Sequence, residues 1–440
     1  MSLIKNNKMK YASTRSSENF VDFKTALLGG LAPDGGLYMP EFIPAFPEGF
    51  LDKLSDPSFT FHNMAYDILS PYIGDEIPEE ALRVLVKDAF NFPVPITELH
   101  GGISLVELFH GPTLAFKDFA ARFMARAMSY LVDDGEALTI LVATSGDTGG
   151  AIAHAYLGLP NIQVKILYPS GAVSHLQEQQ LTTMGENITA FEVAGDFDDC
   201  QDMVKAAFKD PALKDANLTS ANSINIGRLL PQITYYVHAY REFIQSTIKP
   251  LICVPSGNFG NLTAGLFAKK MGLPLAKFIA ANNRNNPVER YLKTGEYDPV
   301  DSVRTPSNAM DVKNPSNFER MRSLYDSVEA MREDVSAFSA TDEETLSRIE
   351  SVYKHDDVII DPHTAVGIEV VNKFRAATQD ESPVLVMSTA HPSKFIETVE
   401  PCIHQKIEVP ERLAQYGERE KVATKIAPTL EALRAQLLAA

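Results

Sequence analysis

Two glycine-rich segments contain residue types that suit the binding of anionic groups. The first covers residues 144–150 (TSGDTGG) and the second covers residues 256–261 (SGNFGN). Each follows an apolar run and precedes a helical pattern, so the free N–H groups of a helix start would face the turn. Neither segment matches the dinucleotide or P-loop pattern. A tight turn capped by Ser, Thr or Asn explains one such loop equally well, but two loops favour two bound anions.

Lys117 is a candidate nucleophile. It lies in segment 107–119 (ELFHGPTLAFKDF), immediately before an apolar stripe with helical spacing. A lysine at the positive end of a helix, flanked by Phe116 and Phe119, is costly to keep protonated, so its pKa should fall. Such an amine can condense with a carbonyl group. For an arbitrary lysine, an ammonium group that reaches solvent from a partly buried helix start is the commoner arrangement. The wider sequence has to decide whether Lys117 is such a lysine or a reactive amine.

The elements that must position these residues follow an alternating pattern. From residue 139, β-rich runs alternate with helical patterns, which indicates βαβ units and a mainly parallel sheet. The pattern predicts strands over 139–143, 162–168, 187–193, 251–255, 277–281 and 384–387. It predicts helices over 149–157, 173–183, 198–209, 225–244, 262–271 and 392–400, others up to residue 354, and one from residue 363. Residues 282–316 are rich in Asn, Pro and Ser and predict a long irregular connection.

A chain of 440 residues is too long for one compact core. The pattern predicts an N-terminal unit over 1–95, a first α/β domain over 96–245 with Lys117 and the SGDTG loop, and a second over 246–440 with the GNFGN loop. These boundaries are approximate, since the two α/β domains can interlock. A site at their junction is the natural expectation.

The composition narrows the class of partner. The chain carries 40 Lys and Arg against 57 Asp and Glu, a formal net charge of −17, which argues against nucleic acid and anionic membranes as partners. An anionic substrate must therefore meet a local cluster of donors. The three cysteines, Cys200, Cys253 and Cys402, are widely spaced and predict neither a disulfide framework nor a metal site. With no apolar run near the ~18 residues of a membrane span and no signal-peptide core, we expect a cytoplasmic protein.

Seven segments in register resemble the threonine synthases, a family of fold type II pyridoxal phosphate enzymes, in the longer form of bacteria and fungi. They are HGPTLAFKDF, ATSGDTGGA, QEQQLTTMG, NSINIGRLLPQ, VPSGNFGN, SNAMDVKNPSNFER and STAHPSKF, between about residue 30 and residue 400. The resemblance implies an α/β fold with two mainly parallel domains, the cofactor between them, and an additional N-terminal unit.

The resemblance also implies which residues hold pyridoxal 5′-phosphate. Lys117 matches the lysine that carries the cofactor as an imine, and Thr389 matches the hydroxyl residue that meets the pyridine nitrogen. A neutral hydroxyl at this position tempers the electron demand of the cofactor and favours elimination and replacement over transamination. The residues that match the phosphate-binding turn are Gly257, Asn258, Phe259, Gly260 and Asn261.

The substrate side is implied by two further segments. Ser145, Asp147 and Thr148 match a loop beside the ring hydroxyl of the cofactor; many fold type II relatives have Asn in place of Asp147, whose contact stays open. Candidates for the substrate's phosphate or carboxylate are Asn222, Ser223, Asn225 and Arg228. Arg228 suits a bidentate contact, with a surface salt bridge as the alternative. His110 and His391 lie within motifs, but packing or capping is the commoner role for such histidines.

The implied reaction converts O-phospho-L-homoserine and water to L-threonine and phosphate, with the freed amine of Lys117 as the base. Two other functions are compatible with these residues. A threonine or serine dehydratase of the same fold would share Lys117 and the GNFGN turn but would not need the anion site around Arg228. A non-catalytic relative would bind the cofactor or a phospho-metabolite without turnover. Both a monomer and a homodimer are compatible with the sequence.

Overall fold

The computed structural model describes residues 8–133, 135–417 and 419–439. The first seven residues of the predicted N-terminal unit therefore lie outside the described residues. The N-terminal region contains a three-stranded antiparallel sheet in the order β2-β1-β3. Its strands are β1 (Tyr11–Ser13), β2 (Ser16–Val21) and β3 (Tyr38–Pro40). Its helices are α1 (Phe23–Gly29), α2 (Phe50–Lys53), α3 (Phe61–Ile73) and α4 (Glu79–Ala89).

The described residues between 96 and 243 contain six strands and six α-helices. The strands are β4 (Ile96–Leu99), β5 (Ile103–Glu107), β6 (Leu138–Ala143), β7 (Ile162–Pro169), β8 (Ile188–Val193) and β9 (Leu218–Ser220). The helices are α5 (Lys117–Leu131), α6 (Asp147–Tyr156), α7 (His175–Thr182), α8 (Phe197–Lys209), α9 (Ile226–Leu229) and α10 (Ile233–Tyr240). The strands and helices from β6 to α8 confirm the alternation predicted from hydrophobic periodicity.

The rest of the chain continues the alternation. The strands are β10 (Leu251–Pro255), β11 (Phe278–Asn282), β12 (Val335–Ser339), β13 (Val384–Ser388) and β14 (Thr424–Ile426). The helices are α11 (Gly260–Lys270), α12 (Pro287–Thr294), α13 (Phe318–Ser323), α14 (Val328–Asp334), α15 (Asp342–Asp356), α16 (Pro362–Thr378), α17 (Ile396–Ile403), α18 (Glu411–Gly417) and α19 (Leu430–Leu438).

Two sheets organise these elements. A six-stranded sheet has the order β12-β11-β10-β13-β5-β4 and is parallel except for β4, whereas a five-stranded sheet with the order β14-β8-β7-β6-β9 is parallel throughout. Strands β10 and β13 are buried along their whole length, as expected where helices cover both faces of a parallel sheet. The fold is therefore α/β, as predicted.

The N-terminal region is not a detached unit. One continuous hydrophobic cluster joins residues of the N-terminal helices, such as Phe23 and Ile68, with Val142 of β6 and Val254 of β10. In α4 the apolar residues Leu82, Val86 and Ala89 recur at helical spacing and are all buried. The N-terminal helices thus extend the core that supports both sheets.

The predicted domain boundaries do not follow the sheets. Strands β4 and β5, at residues 96–107, lie in the same sheet as β10 and β13 and not with β6–β9. In the opposite direction, β14 pairs with β8 of the five-stranded sheet. Pairing between segments that lie hundreds of residues apart leaves no trace in local periodicity. The two α/β regions therefore interlock at both ends.

Several local predictions differ from the structure. The helix expected over residues 392–400 is divided into a 3₁₀ turn at Pro392–Phe395 and α17. The helix expected over residues 225–244 is divided into α9, a 3₁₀ turn at Leu230–Gln232 and α10, because Pro231 has no N–H to continue the ladder. Strand β12 lies within a stretch predicted as helical, and α12 lies within the predicted irregular connection. No helix of the described ranges combines the length and apolarity needed to cross a bilayer.

Candidate active site

A cavity of about 220 Å³ is lined by loops that follow the carboxyl ends of β6, β9, β10 and β13. In open parallel sheets such loop clusters are the usual position of ligand sites. All the predicted site residues except Asn225 line this cavity. They are Lys117, Ser145, Asp147, Thr148, Asn222, Ser223, Arg228, Gly257, Asn258, Phe259, Gly260, Asn261 and Thr389. The structure therefore brings together residues that are up to 272 positions apart, from Lys117 to Thr389.

Lys117 is the first residue of α5 and lies in the wall of the cavity. The backbone around it is tied to the loop after β13, because the N–H of Phe116 donates to the carbonyl oxygen of Thr389 at 2.9 Å. This bond places Lys117 and Thr389, two residues of segments that resemble the family, close together. Burial lowers the pKa of Lys117, and the nearby Asp147 acts in the opposite direction. The amine is thus easier to deprotonate than an exposed lysine.

Asp147, the first residue of α6, is the ionic partner of Lys117. Its Oδ2 lies 3.5 Å from Nζ of Lys117, and its Oδ1 lies 2.6 Å from Nζ of Lys394. Nε2 of Gln177 also donates to Oδ1, at 2.9 Å. Burial would raise the pKa of Asp147, but Lys394 and Lys117 hold it well below its usual range. The carboxylate is therefore ionised at every physiological pH.

The 256–261 turn forms a cradle at the start of α11. A Cβ atom on Gly257 would lie 2.7 Å from the carbonyl oxygen of Ala309, so only glycine fits there. Phe259, with φ of 61°, leads into α11, and no side chain caps the helix. Oδ1 of Asn261 accepts from two tyrosine hydroxyls, whereas its Nδ2 is buried without a partner among the described residues. Free helix N–H groups and an orphaned amide suit a bound phosphate.

Arg228 brings a buried positive charge to the wall of the cavity. It is 4% exposed, and burial lowers its pKa to about 10, so it stays protonated at neutral pH. Its Nη1 donates to the carbonyl oxygen of Ala221 at 2.6 Å, while its Nε has no partner in the described part of the chain. No ion pair to Arg228 occurs among the described residues, which is at odds with the surface salt bridge considered above.

Asn225 lies outside the cavity lining and has a different role. Its Nδ2 donates to the carbonyl oxygens of Leu27 and Ser220 at 2.8 and 3.0 Å, and its Oδ1 accepts from the N–H of Gly227. Asn225 therefore caps α9 and joins it to the N-terminal helix α1. The sequence could not separate this capping role from a ligand contact, because Asn suits both.

Several residues around the cavity were not singled out from the sequence. Lys394 and Gln177 contact Asp147, although both lie in segments that resemble the family. His363 lines the cavity, its Nδ1 lies 2.7 Å from Oδ1 of Asp361, and its Nε2 accepts from the N–H of Ala309. The only sequence signal for His363 was an Asp-Pro-His pattern typical of a helix start.

Arg320 is a second buried arginine near the site, and its side chain is fully enclosed. Its guanidinium group donates to the carbonyl oxygens of Tyr38, Ser223 and Ile224 and to Oδ1 of Asn317. These bonds join the N-terminal sheet to the loop that lines the cavity. Burial lowers the pKa of Arg320 to about 9.

The two motif histidines are placed at the edge of this region and do not line the cavity. Nε2 of His110 lies 2.6 Å from Oε2 of Glu107. His391 caps the 3₁₀ turn at Pro392–Phe395, where its Nδ1 accepts from the N–H of Ser393 at 3.2 Å. His391 is thus a capping residue, whereas His110 is hydrogen-bonded to a carboxylate.

Comparison with known protein families agrees with this geometry. A family model described as pyridoxal-phosphate dependent enzyme matches residues 94–390, which include strands of both sheets and the whole cavity lining. The chain is a pyridoxal phosphate enzyme of fold type II. Models described as threonine synthase N terminus and threonine synthase, C-terminal match residues 10–90 and 364–437. The chain belongs to the threonine synthase family, and pyridoxal 5′-phosphate is its cofactor.

Individual relatives align with nearly the whole chain. The chain is 42% identical to threonine synthase of Escherichia coli over 431 residues, which is 97% of this chain and 98% of the relative. The crystal structure of an Escherichia coli threonine synthase has a TM-score of 0.91 at 40% identity, covering 98% of this chain and 100% of that chain. The pyridoxal phosphate-bound threonine synthase of Brucella melitensis has a TM-score of 0.90 at 36% identity, covering 98% of each chain.

Proposed function

We propose that this chain converts O-phospho-L-homoserine and water to L-threonine and inorganic phosphate. The observation that carries the proposal is the number of anion positions around Lys117. Beyond the 256–261 turn for the cofactor, the cavity offers the loop at the start of α6 and the guanidinium group of Arg228. A phosphorylated amino acid has two anionic groups to place, whereas serine and threonine have only one. Three positions therefore fit the phosphorylated substrate better than a dehydratase substrate.

The residues around Lys117 suit proton transfer. When bound, pyridoxal 5′-phosphate supplies a conjugated acceptor that stabilises the negative charge left by proton loss from the substrate. Because burial lowers its pKa, the amine of Lys117 is more readily available to take up a proton than that of an exposed lysine. Asp147 lies 3.5 Å away and can hold the resulting ammonium group. The same amine can then return the proton at a neighbouring carbon atom.

Arg228 and its neighbours suit the departure of phosphate. A buried guanidinium group with an unpaired Nε–H can donate to phosphate oxygens as negative charge develops on them. Ser223 and Asn222 line the cavity beside it and supply further polar groups. Because Arg228 is fixed by its bond to Ala221, little reorganisation is needed when charge develops.

The proposal extends to cellular context. We expect the chain to act in the cytoplasm, and the three cysteines, none of which is disulfide-bonded in the described structure, are compatible with a reducing compartment. Both an active monomer and a homodimer are compatible with this proposal.

Incubation of the cofactor-loaded chain with O-phospho-L-homoserine in ¹⁸O-labelled water tests the proposal. The expected products are threonine and phosphate in equal amounts, with the label in the threonine hydroxyl and not in phosphate, because the carbon–oxygen bond to phosphate breaks and water adds to carbon. Labelled phosphate with homoserine would indicate simple hydrolysis. Ammonia and a 2-oxo acid from serine or threonine would indicate a dehydratase. A normally coloured protein without turnover would favour a non-catalytic binder.

A further inference from the structure

Lys394 is a buried lysine that the mechanism above does not use. Its side chain is 0% exposed, in the 3₁₀ turn that follows β13. Its Nζ lies 2.6 Å from Oδ1 of Asp147 and donates to the carbonyl oxygen of Thr113 at 2.9 Å. An ammonium group without solvent is stable only if such contacts compensate its charge. Because Lys394 does not line the cavity, it acts on the chemistry from outside the cavity, chiefly through Asp147, which it contacts.

Asp147 lies between two lysines at unequal distances. The contact to Lys394 is 2.6 Å, whereas the contact to Lys117 is 3.5 Å. Gln177 adds a hydrogen bond of 2.9 Å on the Lys394 side. The carboxylate is 5% exposed, so water contributes little to its stabilisation. Lys394 is therefore the main counter-ion of Asp147, and Lys117 interacts with this carboxylate more weakly.

We propose that Lys394 is a positioning residue that keeps Asp147 ionised and fixed, so that Asp147 holds the amine of Lys117 loosely whenever that amine is free. The inference rests on the proposed role of Lys117 as the cofactor lysine. Since Lys394 neutralises most of the carboxylate's charge, Lys117 can lose its proton and react. Without Lys394, the same carboxylate would form a tight ion pair with Lys117.

The charges that act on Lys117 give the direction of the expected change. Burial lowers the pKa of Lys117, Asp147 raises it, and Lys394 and Arg228 lower it further. Asp118 is the other buried acid that faces Lys394, and its Oδ atoms accept from Thr113. Removal of Lys394 deletes one of the charges that lower the pKa of Lys117. It also leaves Lys117 as the only lysine in contact with Asp147 among the described residues. Both changes raise the pKa of Lys117, so its amine would react only at higher pH.

The test follows covalent attachment of added pyridoxal 5′-phosphate to the full-length apoprotein, by absorbance, as a function of pH. Lys394→Met is expected to move the midpoint of the rate profile upward by about one pH unit, which is about a tenfold slower attachment near neutral pH. Asp147→Asn is expected to move it downward, because Lys394 and Arg228 then act on Lys117 unopposed. The double variant should return towards the wild-type midpoint, because both charges of the pair are gone.

Lys373→Met is the matched control. Lys373 also donates to a backbone carbonyl, that of Ser339, and pairs with a carboxylate, Glu344 at 2.6 Å, but Glu344, unlike Asp147, does not line the cavity. Its rate profile should coincide with that of the wild type. A Lys394→Met protein that loses thermal stability with an unmoved midpoint would overturn the proposal, because that is the result of a purely structural role.

Further outcomes distinguish a failure of the proposal for Lys394 from a wrong assignment of Lys117 as the cofactor lysine. Equal midpoints in Lys394→Met and in the double variant would also overturn it, since the effect would not pass through Asp147. If Lys394→Met gives no folded protein, the Asp147→Asn variant provides the test. An unchanged midpoint of its rate profile would overturn the proposal. A wrong assignment of Lys117 would appear differently, as wild-type protein that attaches the cofactor elsewhere or not at all.

Discussion

Asn258 donates a hydrogen bond from its side-chain amide to the hydroxyl oxygen of Ser223. Asn258 lies in the turn after β10 of the six-stranded sheet, whereas Ser223 follows β9 of the five-stranded sheet. Oδ1 of the same amide accepts from the N–H of Ser316. The proposed phosphate turn and the proposed substrate loop are thus joined directly. A substitution that displaces one should therefore also displace the other.

Arg228→Ala is expected to leave the absorption spectrum of the bound cofactor intact and to reduce kcat/KM for O-phospho-L-homoserine by about 100-fold or more. A buried guanidinium group that meets an anion contributes several kcal/mol when its partner is charged. Steady-state kinetics with a parallel spectrum give the measurement. Arg228→Lys should recover only part of the loss, because an ammonium group lacks the planar fork of donors. Unchanged kcat and KM in Arg228→Ala would remove this residue from the site.

Arg320→Met is expected to weaken the binding of pyridoxal 5′-phosphate by about tenfold or more, about 1.4 kcal/mol. The carbonyl oxygens of Ser223 and Ile224 would lose their charged donor, and the loop that Asn258 contacts would lose its support. The binding of pyridoxal, which lacks the phosphate, should change far less. Titration of the apoprotein with both ligands provides the comparison.

Arg375→Met is the control for that titration. Arg375 is also nearly buried and donates to backbone carbonyls, but these belong to Gly101 and Ser382, which do not line the cavity, unlike Ser223 and Ile224. Its removal should leave both affinities at the wild-type values. Equal losses for pyridoxal and its phosphate in Arg320→Met would refute a specific link between Arg320 and the phosphate turn.

His391 should make the fold sensitive to acid. Burial lowers the pKa of His391 from 6.5 to about 4, so the folded state resists protonation where the unfolded chain accepts it. The stability is fully present above about pH 6.5 and is lost as pH falls towards 4, by up to about 2 kcal/mol between pH 7 and 5. Urea unfolding at the two pH values should show a smaller loss in His391→Asn, which keeps the helix cap.

The exposed His404 provides the comparison for this prediction. It ends α17 in a left-handed conformation that Asn also adopts readily. His404→Asn is the matched substitution of an exposed histidine, and its unfolding is measured at the same two pH values. If His391→Asn retained the full wild-type dependence, the acid sensitivity would have to come from other groups.

Local sequence patterns predicted the elements that depend on local physics. Strands such as β7 and β10 are short β-rich runs between turn signals, and their positions were predicted within one or two residues. Strand β12 was not predicted, because the segment VSAFS directly follows α14 and forms a strand only through its pairing with β11. The sequence also did not predict that β5 pairs with β13 and β14 with β8, because these pairings join segments that are distant in the chain.

The candidate site shows the same division. The resemblance identified Lys117 and the 256–261 turn, and the structure places both in one cavity, although their roles remain predictions. Lys394 and Arg320 lie in segments that resemble the family, but residue type did not single them out, because a lysine or arginine is usually exposed and only the fold buries these two. Asn225 was assigned to the substrate because residue type alone does not reveal that its amide is occupied by the backbone.

The central claim is that Lys117, among the lysines of the chain, carries the cofactor. Borohydride reduction of the cofactor-loaded protein, followed by peptide mapping with mass spectrometry, tests it most directly. The predicted result is a pyridoxyl label on the peptide that contains Lys117 and no reducible attachment in Lys117→Ala. Lys394, whose Nζ also contacts Asp147, is the built-in alternative. A label on Lys394 or elsewhere in the wild type, or a retained label in Lys117→Ala, would contradict the account.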